Sequence, residues 1–246
     1  MKVLVFLLLS VICVHAKVTP DYFPVCKRTD PQIEKCVTDA IESMRPQLKA
    51  GITEVDIPAL DPFAVPTLKL DRTASNLRVK ATVKHTMAFG GSDFKIEKFK
   101  LNLNNKYAAE IKLYFPKLSV TADYDVRGSK ILNLDINGKG KLAGNFSGVT
   151  VIAKGIAKPS VKEEMEYLQV DKIVTKVRIN NAQIAVDDTQ RPVAAASAAQ
   201  FFNASPQVVL DILHPLIDET AAAVIKAIAN KVLAKIPIGE VLVEKK

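Results

Sequence analysis

His85 and His214 are the two imidazoles that lie beyond the apolar N-terminal segment of this 246-residue chain. An imidazole can act as a general base or bind a metal, but either task needs partners at a set spacing. The two histidines are far apart in the sequence, and neither sits in an H-E-x-x-H or G-x-S-x-G pattern. Gly138-Lys139-Gly140-Lys141 has glycines and lysines but lacks the spacing and the Ser/Thr of a phosphate loop, which makes it a tight strand bend. Adjacent acids on a strand point apart, so Asp187-Asp188 and Glu163-Glu164 read as solvated charge. These patterns point to no catalytic residue, no metal site and no cofactor.

Cys26 and Cys36 have the spacing of a short disulfide loop. A metal site would want three or four ligands and a redox motif a closer pair, so a bridge is expected, restricting the unfolded chain by roughly 2–3 kcal/mol. It needs an oxidising compartment, and the N-terminus supplies the route. Lys2, the apolar run Val3 to Val14 and the small residue Ala16 form a secretory signal over residues 1–16. A run of about 12 apolar residues is too short to span a bilayer, so a retained anchor is not expected. The mature chain, 17–246, is expected to be an extracellular single domain. Asn145-Phe146-Ser147 and Asn203-Ala204-Ser205 are glycosylation acceptors, the second followed by Pro206.

Composition narrows the class further. The chain is 48% hydrophobic and 6% aromatic with no tryptophan, which excludes disorder and predicts a large aliphatic core. The formal charge of +8 comes from 34 basic and 26 acidic residues. Lys95, Lys98, Lys100 and Lys112 are interleaved with acids, and most aromatics share the dry parity of their strands, so nucleic acid is excluded as partner. The basic excess supports at most a weak attraction to acidic membrane surfaces.

The elements follow from periodicity. Ile33, Val37, Ala40, Ile41 and Met44 predict an amphipathic helix over 30–44, with Pro46 and Gly51 ending it. Pro58, Pro62 and Pro66 make 56–66 an extended connector. From 77 to 186 the period is two: Leu118, Val120, Ala122, Tyr124 and Val126 alternate with polar residues without exception. Short turns between such runs favour antiparallel neighbours. Parity switches between Ile96 and Phe99 and near Gly138 to Gly148 predict bulges or bends. A helix is predicted from Ser205 to about Lys235, polar only along the arc of Asp211, Asp218, Glu219, Lys226 and Asn230. Apolar over most of its circumference, it needs cover on several sides. A curved antiparallel sheet would supply it.

Three stretches together resemble the insect takeout and juvenile-hormone-binding family. The first is Cys26 to Cys36 with Asp30-Pro31, followed by Gly51-Ile52-Thr53-Glu54-Val55-Asp56-Ile57-Pro58-Ala59-Leu60-Asp61-Pro62. The second is Phe115-Pro116-Lys117-Leu118 with Tyr124, Gly128 and the Gly138-x-Gly140 bend. The third is the terminal helix ending in Ile236-Pro237. Thr53 and Asp56 stand where members often carry proline and glycine, and the single disulfide resembles the takeout branch. The resemblance implies an α+β domain, a long helix wrapped by a strongly curved antiparallel sheet around an apolar tunnel. It also implies secretion and roles in hormone or chemosensory transport, feeding or daily rhythm.

The function expected is a non-enzymatic, monomeric carrier of a small hydrophobic ligand, such as a terpenoid, fatty acid or other lipid, without stable membrane insertion. Burying an alkyl chain gains about 0.8 kcal/mol per CH₂, so aliphatic walls can bind without any reactive group. The expected lining comes from the dry strand faces: Val79 and Val83, Phe99 and Leu101, Leu113 and Phe115, Leu132 and Leu134. Ile212 and Leu216 add the inner helix face. The alternative is a secreted signal-modulating partner whose cavity is filled. A hydrolase would need a serine or cysteine beside His85 or His214.

Overall fold

The computed structural model describes residues 17–74, 77–103, 107–131 and 134–244; the expected leader 1–16 and the expected lining residue Leu132 lie outside them. The strands are β1 (Cys26–Lys27), β2 (Phe63–Val65), β3 (Leu68–Ala74), β4 (Leu77–Phe89), β5 (Lys95–Asn102) and β6 (Tyr107–Val126). They continue with β7 (Lys130–Ile131), β8 (Leu134–Asp135), β9 (Gly138–Lys162), β10 (Met165–Asp187) and β11 (Leu242–Val243). The helices are α1 (Ile33–Ser43), α2 (Arg45–Ala50), α3 (Pro192–Ala204), α4 (Pro206–Leu233) and α5 (Ile238–Val241). One antiparallel sheet runs β10-β9-β6-β4-β7-β8, with β2 and β3 on β4 and β5 on β6. It is strongly curved and does not close into a barrel.

The long strands bend together along one line. Pro116 of β6 has no N–H to give, and opposite it Gly148 of β9 takes φ +61°. A Cβ on Gly148 would lie 2.5 Å from Nδ2 of Asn180 on β10. Across this crease all three strands exchange faces. Phe115, Val149 and Ile179 share the inner row on one side, and Leu118, Phe146 and Ala182 share it on the other. Register shifts at Ile96/Lys98 in β5 and Lys84/Met87 in β4 do the same for the neighbouring strands. The parity switches in the sequence are therefore a bulge in β5 and a crease at Gly148.

The helices differ from the periodicity at their ends. The first amphipathic segment is two helices, because Met44 breaks the geometry and Pro46 sits in the first turn of α2 instead of ending a helix. Proline is at home there, where its missing donor has no intrahelical acceptor. The terminal helix α4 spans 28 residues, close to expectation. Alpha-helix α3 is additional: its alanines give little periodic contrast, yet Ala195, Ala199 and Phe202 bury one face.

Asp188 corrects the expectation of solvated charge. It is 2% exposed, and its carboxylate accepts hydrogen bonds from the N–H groups of Lys139, Gln190 and Arg191 and from the Tyr124 hydroxyl. Burial pushes this carboxyl up, but those donors outweigh it and hold it below the usual aspartate range. Burial, reinforced by Asp188, raises the Tyr124 phenol to about 12. The glycines of the Gly138-x-Gly140 bend leave room for this clasp, since a Cβ at Gly138 would meet the Asp188 carboxylate.

Buried clusters mark both ends of the molecule, and Val149, Ala153 and Val177 along the strands are buried as well. Phe23, Ile52, Val55 and Ile236 form one cluster beside the Cys26–Cys36 disulfide, and Cys26, Ile238 and Leu242 a second. The parallel pair β1–β11 joins the chain's two ends there. At the opposite end Phe202, Val209, Leu210 and Ala182 close one cluster, and Val79 and Ala81 another.

Candidate functional site

Alpha-helix α4 is hydrogen-bonded to the sheet along β10, and its apolar Ile212, Leu213 and Leu216 pack on β3 and β4. Its backbone runs close beside β10 and, over the described residues, keeps away from β5 and β6. An edge strand exposes unpaired N–H and C=O groups that invite another chain. Here the helices answer them one by one. Asn203 accepts from Ile184 N–H and donates to its carbonyl, both at 2.8 Å. Gln207 donates to the carbonyls of Ile179 and Asn180. Asp218 accepts from Val177 N–H at 2.7 Å, and its own carbonyl takes the Thr175 hydroxyl. Asn230 accepts from Val170 N–H, and Lys226 donates to the Asp171 carbonyl. The polar arc seen in the sequence is thus largely a seal along β10.

With that side closed, the apolar remainder of α4 faces the sheet across the interior. Only Val209 and Leu210 of its residues are buried. Thr220, Val224, Ile225 and Ile228 stay half-buried, as do Phe99, Ile111, Leu113, Phe115 and Val151 on the inner strand faces. Side chains that packed against one another would lose this accessibility. The inner side chains of β5 and β6 thus lack full contact, whereas Val149, Ala153 and Val177 on β9 and β10 are buried.

The expected lining residues divide accordingly. Val79, Ile212 and Leu216 come together, but as closed packing with Ala81 and Leu213. Phe99 and Leu101 pair with Ile111 and Ala109, Leu113 with Ile96 and Val151, and Phe115 with Val149. Phe115 also meets Phe94, ring centroids 6.5 Å apart. Val83 is half-buried opposite Tyr124. Leu134 lies in β8, paired with Ile131. The inner face of β9, Val149, Val151 and Ala153, went unassigned in the sequence. Ile152 and Ile156 occupy its wet parity and blur the alternation that would have shown it.

The remaining candidates sit elsewhere. His85 takes φ +48° in the β4 bulge, exposed, with Nδ1 at 2.8 Å from Asp123 Oδ2. His214 lies on α4 with Nε2 at 3.7 Å from Asp211. Neither imidazole is hydrogen-bonded to a serine or cysteine among the described residues. Asn145 is exposed on the outer sheet face, accepting from the Ser119 hydroxyl, whereas the Asn203 amide is committed to Ile184. No helix among the described residues is long and apolar enough to cross a membrane.

The motif Ile57 to Pro62 closes one rim of the interior. Asp61 accepts from Gly90 N–H and from the Ser92 hydroxyl, which fixes the turn between β4 and β5. Arg45 donates to the Ser92 carbonyl and lies over the Phe94 ring at 4.1 Å.

Comparison with known proteins gives a consistent result. The family model described as haemolymph juvenile hormone binding protein matches residues 3–243. The circadian clock-controlled protein daywake of Drosophila yakuba is 24% identical over 225 residues, covering 87% of this chain and 85% of that protein. Its Drosophila melanogaster counterpart is 25% identical over 223 residues, with the same coverage. The crystal structure of Epiphyas postvittana Takeout 1 matches with a TM-score of 0.68 at 21% identity, over 85% of this chain and 95% of that one. The two share a fold.

Proposed function

The chain belongs to the haemolymph juvenile hormone binding protein family, and from that premise we propose that it is a secreted, non-enzymatic carrier of a small hydrophobic molecule. The observation that carries this reading is the half-buried apolar lining between α4 and the inner faces of β5, β6 and β9. An acyl or terpenoid chain laid there would complete contacts that the protein leaves unmade, at about 0.8 kcal/mol per buried CH₂. Phe99, Leu113, Phe115 and Val151 are the residues we assign to that contact. Terpenoids of the juvenile-hormone kind, fatty acids and other lipids all fit its chemistry. The family's name supports a place in hormone transport and the name of its daywake relatives one in circadian output; chemosensory transport and feeding belong to the same proposal.

The rest of the reading follows from this role. Residues 1–16 act as a cleaved leader, the mature chain is a monomer, and Asn145 is the acceptor that carries a glycan. Native mass spectrometry of protein recovered from insect-cell medium, with extraction of bound lipid, tests the carrier. An adduct of lipid mass that a fluorescent apolar probe displaces supports it. Absence of any adduct, together with no probe binding, would falsify it and favour a signalling partner with a filled interior.

A further inference from the structure

We propose that the outer face of β5, β6, β9 and β10 docks on anionic lipid surfaces. Register places its side chains in rows across the sheet. Lys100, Glu110, Lys154 and Val174 form one row, and Lys98, Lys112, Ile152 and Lys176 the next. Ala108, Ile156 and Lys172 begin a third. Strands lie about 4.8 Å apart, so each full row spans about 14 Å.

The charge on this face is lopsided. Within the three rows Glu110 is the one carboxylate, and the β5 bulge adds Glu97. Glu110 is shared by Lys98 at 2.7 Å and Lys154 at 3.1 Å, while Glu97 takes Lys112 at 2.8 Å. Lys100, Lys172 and Lys176 are exposed, and among the described residues none of them has an acidic partner. Lys98 and Lys112 stand directly opposite each other, an arrangement that costs stability in a sheet. The net charge of +8 is therefore not spread evenly over the wet faces.

Among these cations sit branched apolar side chains on the same outer parity: Ile156 is 38% exposed and Val174 50%. Positive charge alone would suit any polyanion. Lysines interspersed with exposed aliphatic groups on one face of four neighbouring strands suit a headgroup layer, where phosphates meet the cations and the methyl groups reach the interface. The assignment stands on the outer face alone, and a protein with a filled interior would show it equally.

Co-sedimentation of the full mature chain with vesicles tests it, using phosphatidylcholine alone and phosphatidylcholine with about a third phosphatidylserine. Binding is expected only with phosphatidylserine, weakening steeply as salt is raised. Each basic side chain at such a surface shifts partition about fivefold, so the triple variant Lys100→Gln, Lys172→Gln, Lys176→Gln should bind about 100-fold more weakly. A control triple of the same charge change elsewhere, Lys27→Gln, Lys49→Gln, Lys231→Gln, should retain most of the binding. Equal loss in both triples, or binding that ignores phosphatidylserine, overturns the proposal. So does a pair Ile156→Ser, Val174→Ser that leaves vesicle binding unchanged while polyglutamate binds as strongly as vesicles, since the partner would then be an acidic polymer. Circular dichroism of each variant confirms that its fold is kept.

Discussion

The end of the molecule that holds the disulfide and the middle of the wrap are built from the same aliphatic residue types, yet they close to different degrees. Around Ile52 and Val55 the side chains are sealed from both sides by α2, the end of α4 and Phe23. Between α4 and β6 the same chemistry stops at half burial. The difference lies in what stands opposite. At the end, short elements fold back over one another, whereas in the middle a helix bonded along β10 faces the half-buried inner side chains of β5 and β6. Side-chain contact is most complete in the first region and less complete in the second.

Truncation at matched positions gives the largest expected contrast. Ile52→Ala removes a fully packed side chain and should cost about 2–5 kcal/mol in urea unfolding, with little effect on probe affinity at temperatures where the variant stays folded. Leu113→Ala should cost the ligand-free protein about 1–2 kcal/mol, because the side chain is less completely buried than Ile52. It should weaken binding of an apolar probe about tenfold. Equal stability losses at the two sites would mean that the middle is packed and that no guest is needed there.

Sequence periodicity made much of this contrast visible, though only one half of it in detail. Strand faces such as Leu118 to Val126 and the extent of α4 were legible because alternation and helical spacing are local. The disulfide was legible from two cysteines alone. Which dry residues pack fully and which stay half-buried was not, since Val79 and Leu113 have equivalent patterns and differ only in what the fold sets against them. Nor was the role of Asp218 and Asn230 apparent: a polar arc on a helix normally faces water, and the free edge of β10 exists only once the sheet is assembled. Asp188 was misassigned for the same reason, its four donors coming from three separate segments.

The seal along β10 is the next contrast, because it holds α4 by hydrogen bonds while the β3–β4 side holds it by apolar contact and one exposed ion pair. Asp218→Ala strips the partner from Val177 N–H and should cost about 1–3 kcal/mol. Hydrogen exchange at Val177 should accelerate more than at Val151, whose strand is paired on both sides. Uniform acceleration across both strands would show that the edge bonds are not a separate unit of stability.

The Asp188–Tyr124 clasp ties the β9 bend to the start of α3 and gives a smaller, pH-dependent signature at both extremes. Asp188 titrates below its usual range, so its contribution is complete above about pH 4 and fades as pH falls through the lowered value. Tyr124 is raised to about 12, so its contribution is present below about pH 10 and lost as pH climbs toward 12. In Tyr124→Phe the alkaline loss between those values should shrink, and the acid loss should begin at a higher pH because Asp188 has lost one donor. Unchanged unfolding profiles at both ends would separate the two groups.

The smallest effect on stability should come from the β3–β4 side, where Arg72 of β3 reaches Glu219 of α4 at 2.9 Å. Both groups are exposed, and such a pair contributes about 0–1 kcal/mol, so Arg72→Ala should barely move the unfolding midpoint. Its position matters more than its energy. It joins the β3–β4 limb to the helix on the side away from the β10 seal, where apolar contact comes from Leu70, Val79, Ala81 and Val126 against Ile212, Leu213 and Leu216. A guest entering the interior from that side must part this limb from α4. Arg72→Ala should therefore speed both uptake and release of an apolar probe in stopped-flow mixing while leaving the equilibrium affinity nearly unchanged. Faster release with unaltered uptake, and so weaker affinity, would place Arg72 against the guest itself, and no change in either rate would put the entrance elsewhere on the wrap.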